Sequence, residues 1–221
     1  MNQTHIIQAT TQWVETKMSG ETTGHDWWHT WRVWNASLKI QAIEGGNSFI
    51  IQMAALLHDM GDHKFFDGVD KTRETALYWM DQFAGISNEE KQHIADICEQ
   101  LSFKGAEVDT NMHTIEGKIV QDADRLDAMG AMGIARAFAY GGKKGRMLHE
   151  PSVKPVMHKD FESYKNAKGT TINHFHEKLL LLYDRMQTKT GKAIAKRRTL
   201  FLNQYLETFY EEWDSKDFDS L

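Results

Sequence analysis

Three short stretches of this chain carry side chains that could hold a cation or move a proton: "GHDWWHTWRVW" at 24–34, "AALLHDMGDHKFF" at 54–66 and "VQDADRLDAMG" at 120–130. In the first, His25, His29 and Arg32 follow i, i+4, i+7 and share one face of a helix. Trp27, Trp31, Trp34 and Leu38 share another face, which reads as core. Two histidines on a polar face read either as contacts to a metal or substrate or as solvated polarity. The H-D-x-x-H spacing approaches the H-E-x-x-H of zinc proteases. Here, however, the acid is Asp26, a methylene shorter and placed at the helix entrance, where a capping aspartate is common.

In the second stretch, His58 and Asp59 are neighbours on a largely apolar helix. Burying an imidazole beside a carboxylate is costly unless a cation or a hydrogen-bond network compensates. Successive helical side chains diverge by about 100°, so one ion off the ridge between them could take a nitrogen and an oxygen from the same turn. Asp62, at i+4 from His58 and i+3 from Asp59, faces the same point. An exposed helix end would carry the same letters with no ion. In the third stretch, Val120, Ala123, Leu126 and Met129 continue an apolar stripe, while Asp124 and Asp127 lie on adjoining turns with Arg125 between them. Taken alone, an aspartate beside an arginine reads either as a structural ion pair or as a ligand.

Helices must position these groups. The 221 residues contain only two prolines, Pro151 and Pro155, and no alternating strand pattern with hairpin turns, so the expected fold is all-α. A first helix is expected over about Thr4 to Met18, and a second from near Asp26 to just before Gly45. A third, apolar nearly all round and therefore central, is capped by Asn47 or Ser48 and reaches His58. A fourth spans about Lys71 to Phe83, and a fifth follows Ser87, whose partner Glu90 completes a capping box. A sixth starts around Thr114 and continues through "AMGAMGIARAFAY", with Gly130 and Gly133 read as the close approach of a neighbouring helix rather than a break. Two more close the chain, over about Thr171 to Lys189 and Ala193 to Trp213.

Between Gly141 and Gly169 the periodicity fades and basic residues outnumber acidic ones, against a net charge of -5 for the whole chain. Lys143, Lys144 and Arg146, among Gly141, Gly142 and Gly145, could close over a polyphosphate, or could simply be an exposed charged loop. The acidic balance argues against a general nucleic-acid binder. Cys98 is the only cysteine, which excludes an internal disulfide and a four-thiolate zinc site. No run approaches ~18 apolar residues, and the start lacks a signal peptide's basic and apolar regions, so the expectation is a soluble cytoplasmic protein.

Taken together, the order histidine, His-Asp pair, downstream aspartate resembles the H…HD…D signature of the HD-domain phosphohydrolase superfamily. It is carried by H-x-x-x-V at His29, "LLHDMGD" at His58 and "ADRLDA" at Asp124. The flanking "GHDWWHTWRV", "QLSFKG", "VQDADRLDAMGAMGIARAF" and "HFHEKLLLL" are similar to a bacterial subgroup of the YedJ/YpgQ type, some of whose members are nucleotide pyrophosphohydrolases. The resemblance runs from about residue 20 to 213. It implies one HD-type helical bundle over residues 1–221, with a core over about 20–140, a long basic loop, and a C-terminal helical extension over about 171–213.

The resemblance further implies that His29, His58, Asp59 and Asp124 hold one divalent ion, Mn²⁺ or Mg²⁺ or another first-row ion. His93 and His113 lie where dinuclear relatives carry extra histidines but match no such pattern, so a second metal is not expected. Asp62 is the candidate to position or deprotonate the attacking water, with Lys64, His25, Lys143, Lys144 and Arg146 as candidate substrate contacts. The expected reaction is hydrolysis of a nucleoside triphosphate to the monophosphate and pyrophosphate. The alternatives are phosphomonoester or phosphodiester hydrolysis of a nucleotide, or a regulatory module that binds a nucleotide without turnover. The expected partner is thus a small nucleotide, with no stable nucleic-acid partner and no membrane.

Overall fold

A computed structural model of the chain describes residues 2–20, 26–61, 70–101, 110–157 and 169–220. Among these, every regular element is a helix. In chain order they are α1 (Gln3–Met18), α2 (Trp27–Glu44), α3 (Ser48–Leu57), α4 (Thr72–Met80), α5 (Asn88–Gln100), α6 (Ile115–Asp127) and α7 (Gly130–Lys143). They are followed by α8 (Thr171–Glu177), a 3₁₀ segment over Leu179–Arg185, α9 (Lys189–Trp213) and a last 3₁₀ turn over Lys216–Ser220. His25, Asp62 and Lys64 lie outside the described residues.

Capping chemistry sets most helix starts. The Asp26 carboxylate accepts from the His29 amide, Asn47 from Phe49 and Ile50, and Thr114 from Gly117. Ser87 and Glu90 form the reciprocal box expected of them. α3 is central: every side chain from Phe49 to Leu57 except Gln52 is buried. It packs against α1, α2, α5 and α6, while α6 lies across α2 and meets α9.

The Asp122 carboxyl ties α6 to the C-terminal helices. Buried in α6, it accepts hydrogen bonds from the Gln187 and Thr188 amides and the Thr188 hydroxyl, which fixes the start of α9. Gly191 makes this possible, because a Cβ there would stand 2.4 Å from the Asp122 Oδ2. Glu44 at the end of α2 takes the Thr190 amide and hydroxyl, each at 2.7 Å.

Several expectations are corrected. The run from Thr114 through Tyr140 is two helices: α6 stops at Asp127 and α7 begins at Gly130, whose φ is +66°. Gly133 is the site of a close approach, but by the chain's own backbone, since a Cβ would lie 2.2 Å from the Ala128 carbonyl oxygen. The helix expected over Thr171 to Lys189 is likewise divided. α8 ends at Glu177, and a 3₁₀ segment places Leu179 and Leu182, three apart and both buried, on one side. α4 ends at Met80, short of Phe83, and α7 extends to Lys143, so the irregular segment starts later than Gly141. Nor is the tryptophan stripe core. Trp27 is buried, but Trp31 is 42% exposed and the inward face of α2 is Thr30, Val33, Ser37 and Ile40.

Candidate metal centre

The centre forms where α2, the end of α3 and α6 meet. His29 lies in the first turn of α2 and is 1% exposed, as its place on the inward side of that helix requires. α3 ends one residue before His58, so the His-Asp pair sits in a turn and not on the helix itself, as the apolar run suggests. That turn is shaped by Gly61, with φ +111°, against which the backbone of Lys71 passes so closely that a Cβ would lie 2.7 Å away. His58 and Asp59 are both buried.

Hydrogen bonds decide which nitrogens these imidazoles present. The His58 Nδ1 lies 2.8 Å from the Ala55 carbonyl, which can only accept, so Nδ1 carries the proton. The His29 Nδ1 lies 2.7 Å from the Asp127 Oδ2, a carboxylate with the same consequence. In the neutral rings both lone pairs therefore sit on Nε2, and the two Nε2 atoms face each other at 3.2 Å. Around them are the Asp59 Oδ2, 3.4 Å from the His29 Nε2, and the Asp59 Oδ1, 3.7 Å from the His58 Nε2. The Asp124 Oδ1 lies 3.5 Å from the His29 Nε2 alone, outside the mutually close set, with its side chain 30% exposed at the rim.

Two imidazole nitrogens and a carboxylate turned toward one point could hold a cation between them. Ligand bonds of about 2.1 Å place neighbouring donors roughly 3.0–3.4 Å apart, so the spacing fits one divalent ion. His29, His58 and Asp59 are a buried set whose donor atoms all lie within 4.8 Å of one another. The negative end of α3 adds to the attraction.

One residue of this centre carries more contacts than its sequence setting suggested. Asp127 takes the His29 Nδ1 and the Arg32 Nη2 on Oδ2, the Arg32 Nε on Oδ1 at 2.6 Å, and the Arg136 Nη1 on Oδ2 at 2.9 Å. Burial raises the pKa of this carboxyl, but His29, Arg32 and Arg136 outweigh burial and hold it well below the usual carboxylate range. For His29, burial and then Arg136 push the imidazole down, while Asp127 and Asp59 prevail and leave it raised. The shared face of His29 and Arg32 was visible in their spacing; the D-x-x-D spacing of Asp124 and Asp127 was the only trace of the third partner. Arg125, between those aspartates, turns away to the Arg185 carbonyl and the Thr110 hydroxyl.

The remaining candidates stand apart. The His93 Nε2 bonds to the Thr114 hydroxyl at the opposite end of α6, and His113 is exposed beside it. Lys143, Lys144 and Arg146 are at the far end of α7. At 1.5 Å per residue Lys143 is about 20 Å along the axis from Gly130. Lys144 and Arg146 instead lie over the Tyr140 ring, 5.8 and 5.9 Å from its centroid. α7 runs on to Lys143, three residues past Tyr140, where the irregular segment was expected to have begun.

The family model described as "HD domain" matches residues 27–129. The YpgQ protein of Bacillus subtilis, itself described as uncharacterized, is 35% identical over 195 residues, 88% of this chain and 87% of its own. A crystal structure from Lactobacillus plantarum superposes with a TM-score of 0.87 at 32% identity, covering 97% of this chain and all of that one. An HD-superfamily hydrolase from Bacillus thuringiensis gives 0.73 at 37% identity over 96% and 99% of the two chains. The crystal structure of Bacillus subtilis YpgQ in complex with ADP gives 0.73 at 33% identity over 93% and 97%.

Proposed function

Because the chain belongs to the HD superfamily of metal-dependent phosphohydrolases, we propose that it hydrolyses nucleoside triphosphates to the monophosphate and pyrophosphate. One divalent ion, Mn²⁺ or Mg²⁺, is held by His29, His58, Asp59 and Asp124. The observation that carries this reading is the inward meeting of the His29 and His58 Nε2 atoms at 3.2 Å with carboxylate oxygens around them. A related protein, YpgQ, has been crystallised with ADP, which favours a nucleotide as the substrate class.

When bound there, a divalent ion supplies Lewis acidity, polarising a phosphoryl oxygen and lowering the pKa of water. The chain's own residues do the rest. His29 and His58 offer neutral nitrogen, and Asp59 and Asp124 offset the positive charge from two sides. Asp124 stands at the solvent rim, where the phosphate chain enters. Asp62, one residue beyond Gly61, accepts the proton of the water that attacks the α-phosphorus as the bond to the bridging oxygen breaks. Lys64 and His25, close in sequence to His58 and His29, are the candidate contacts to the phosphates.

The test is a panel of nucleotides with Mn²⁺ and Mg²⁺, resolved by phosphorus NMR. Pyrophosphate with a nucleoside monophosphate is the expected product pair. Inorganic phosphate with a diphosphate product, or hydrolysis of monoesters, would replace this reaction with the other phosphohydrolase chemistry. Saturable nucleotide binding with no product under any divalent ion would make the chain a regulatory module.

A further inference from the structure

The buried carboxylate of Asp127 holds no place among the four groups proposed to bind the ion, yet it is heavily bonded. Four donors reach it from two helices besides its own: the His29 Nδ1 and two nitrogens of Arg32 on α2, and the Arg136 Nη1 on α7. Replacing buried ion pairs by apolar groups is often neutral or stabilising, so stability alone does not account for two guanidinium groups around one acid. The geometry has another consequence. A carboxylate saturated by arginines cannot rotate freely and cannot donate, so the imidazole it meets must turn Nδ1 with its proton toward it.

We propose that Asp127, oriented by Arg32 and Arg136, is a positioning residue that fixes the ring rotation and tautomer of His29, so that Nε2 faces the cluster with its lone pair. The inference rests on the metal reading of that cluster. Arg32 lies one turn beyond His29 on the same face of α2, so a single carboxylate aligns both the imidazole and the helix that carries it. Arg136 brings in α7 directly after the break at Gly130, and its Nε is buried without a hydrogen-bond partner among the described residues. The guanidinium is thus committed to Asp127 at the expense of its own full pairing. Partners of this kind, bonded to the far nitrogen of a ligand histidine, typically change metal affinity by about 10–100-fold when removed.

The test uses the full chain, ¹⁵N-labelled at histidine and metal-free, at a pH raised until the His29 nitrogen shifts stop changing, so that the neutral ring is read. Two-bond proton–nitrogen spectra should show the His29 Nδ1 protonated in the native protein. Asp127→Asn should reduce that Nδ1 protonation, and its Mn²⁺ dissociation constant, read by electron paramagnetic resonance, should rise about 10–100-fold. A folded Asp127→Asn protein with unchanged His29 nitrogen signals and native Mn²⁺ affinity overturns the proposal. Should Asp127→Asn fail to fold, Arg136→Gln releases one donor and keeps the carboxylate. A rise of a few-fold in the dissociation constant is then expected, and no change overturns the clasp. The two failures are distinct: native protein that takes up no Mn²⁺ sinks the metal reading, whereas the nitrogen spectra judge the positioning of His29 independently.

Discussion

His174, on α8, is an imidazole that the fold holds neutral. Burial pushes its pKa down to about 3, and the charges of Lys178 and Arg146 act in the same direction. In the unfolded chain the ring takes a proton near its ordinary value of 6.5, so between these limits the unfolded state binds the extra proton. The stability it contributes is therefore fully present above about pH 6.5 and is lost as pH falls toward 3, by up to about 1.4 kcal/mol per pH unit. His29, with its pKa raised, acts in the opposite sense: its contribution is present below 6.5 and lost as pH rises through its folded value. His174→Phe should flatten the acid side of the stability profile, measured by urea unfolding at about pH 7 and pH 5. An unchanged slope would show that His174 is not the group responsible. At this scale the sequence was legible where residue type and spacing agree. The H…HD…D resemblance names His29, His58, Asp59 and Asp124, and three of these, His29, His58 and Asp59, bring their donor atoms together in the fold. Asp127 was not legible, because "DRLD" pairs the acid with Arg125 in sequence, while the arginines that bind it come from α2 and α7.

The helices tell the same story one level up. Starts were legible from Asp26, Asn47, Ser87 and Thr114, whose side chains bond the next amides whatever packs around them. Breaks were not. Gly130 and Gly133 sit inside an apolar run that satisfies helical periodicity on both sides, and only the three-dimensional path shows that the chain turns there. The interruption matters for chemistry, since it swings α7 so that Arg136 can reach Asp127. Gly130→Ala should cost about 1–2 kcal/mol, because a side chain is strained at a left-handed φ. Gly133→Ala should cost more, about 2–4 kcal/mol, since its new carbon would meet fixed backbone rather than a flexible side chain. Guanidinium unfolding of the two variants ranks them. Equal costs would mean that the contact with Ala128 relaxes easily. The division of the helix after Glu177 escaped for a related reason: four consecutive leucines suit an α-helix and a 3₁₀ segment alike, and which is built depends on what Leu179 and Leu182 bury against.

For the molecule as a whole, cation binding and folding are linked. The proposed ligands come from α2, from the turn after α3 and from α6, three segments that diverge on unfolding. A site of that kind binds the folded state alone. At a free Mn²⁺ concentration about 100 times the dissociation constant, stability should rise by about 2.7 kcal/mol. For a chain of this size that corresponds to a Tm increase of roughly 5–10 °C, reversed by a chelator. A melting curve indifferent to Mn²⁺, in protein that retains its helical signal, would argue against a preformed site. No helix among the described residues is long and apolar enough to cross a membrane.

Asp122 limits how far this molecule can be pared down. It shares α6 with Asp124 and Asp127, yet its bonds run to Gln187 and Thr188, more than sixty positions away. A fragment ending soon after Met129 would keep every proposed ligand and strand a carboxylate in apolar surroundings two residues from one of them. The C-terminal arm is therefore no dispensable ornament on a minimal enzyme: excising it unseats the helix from which the chemistry is hung.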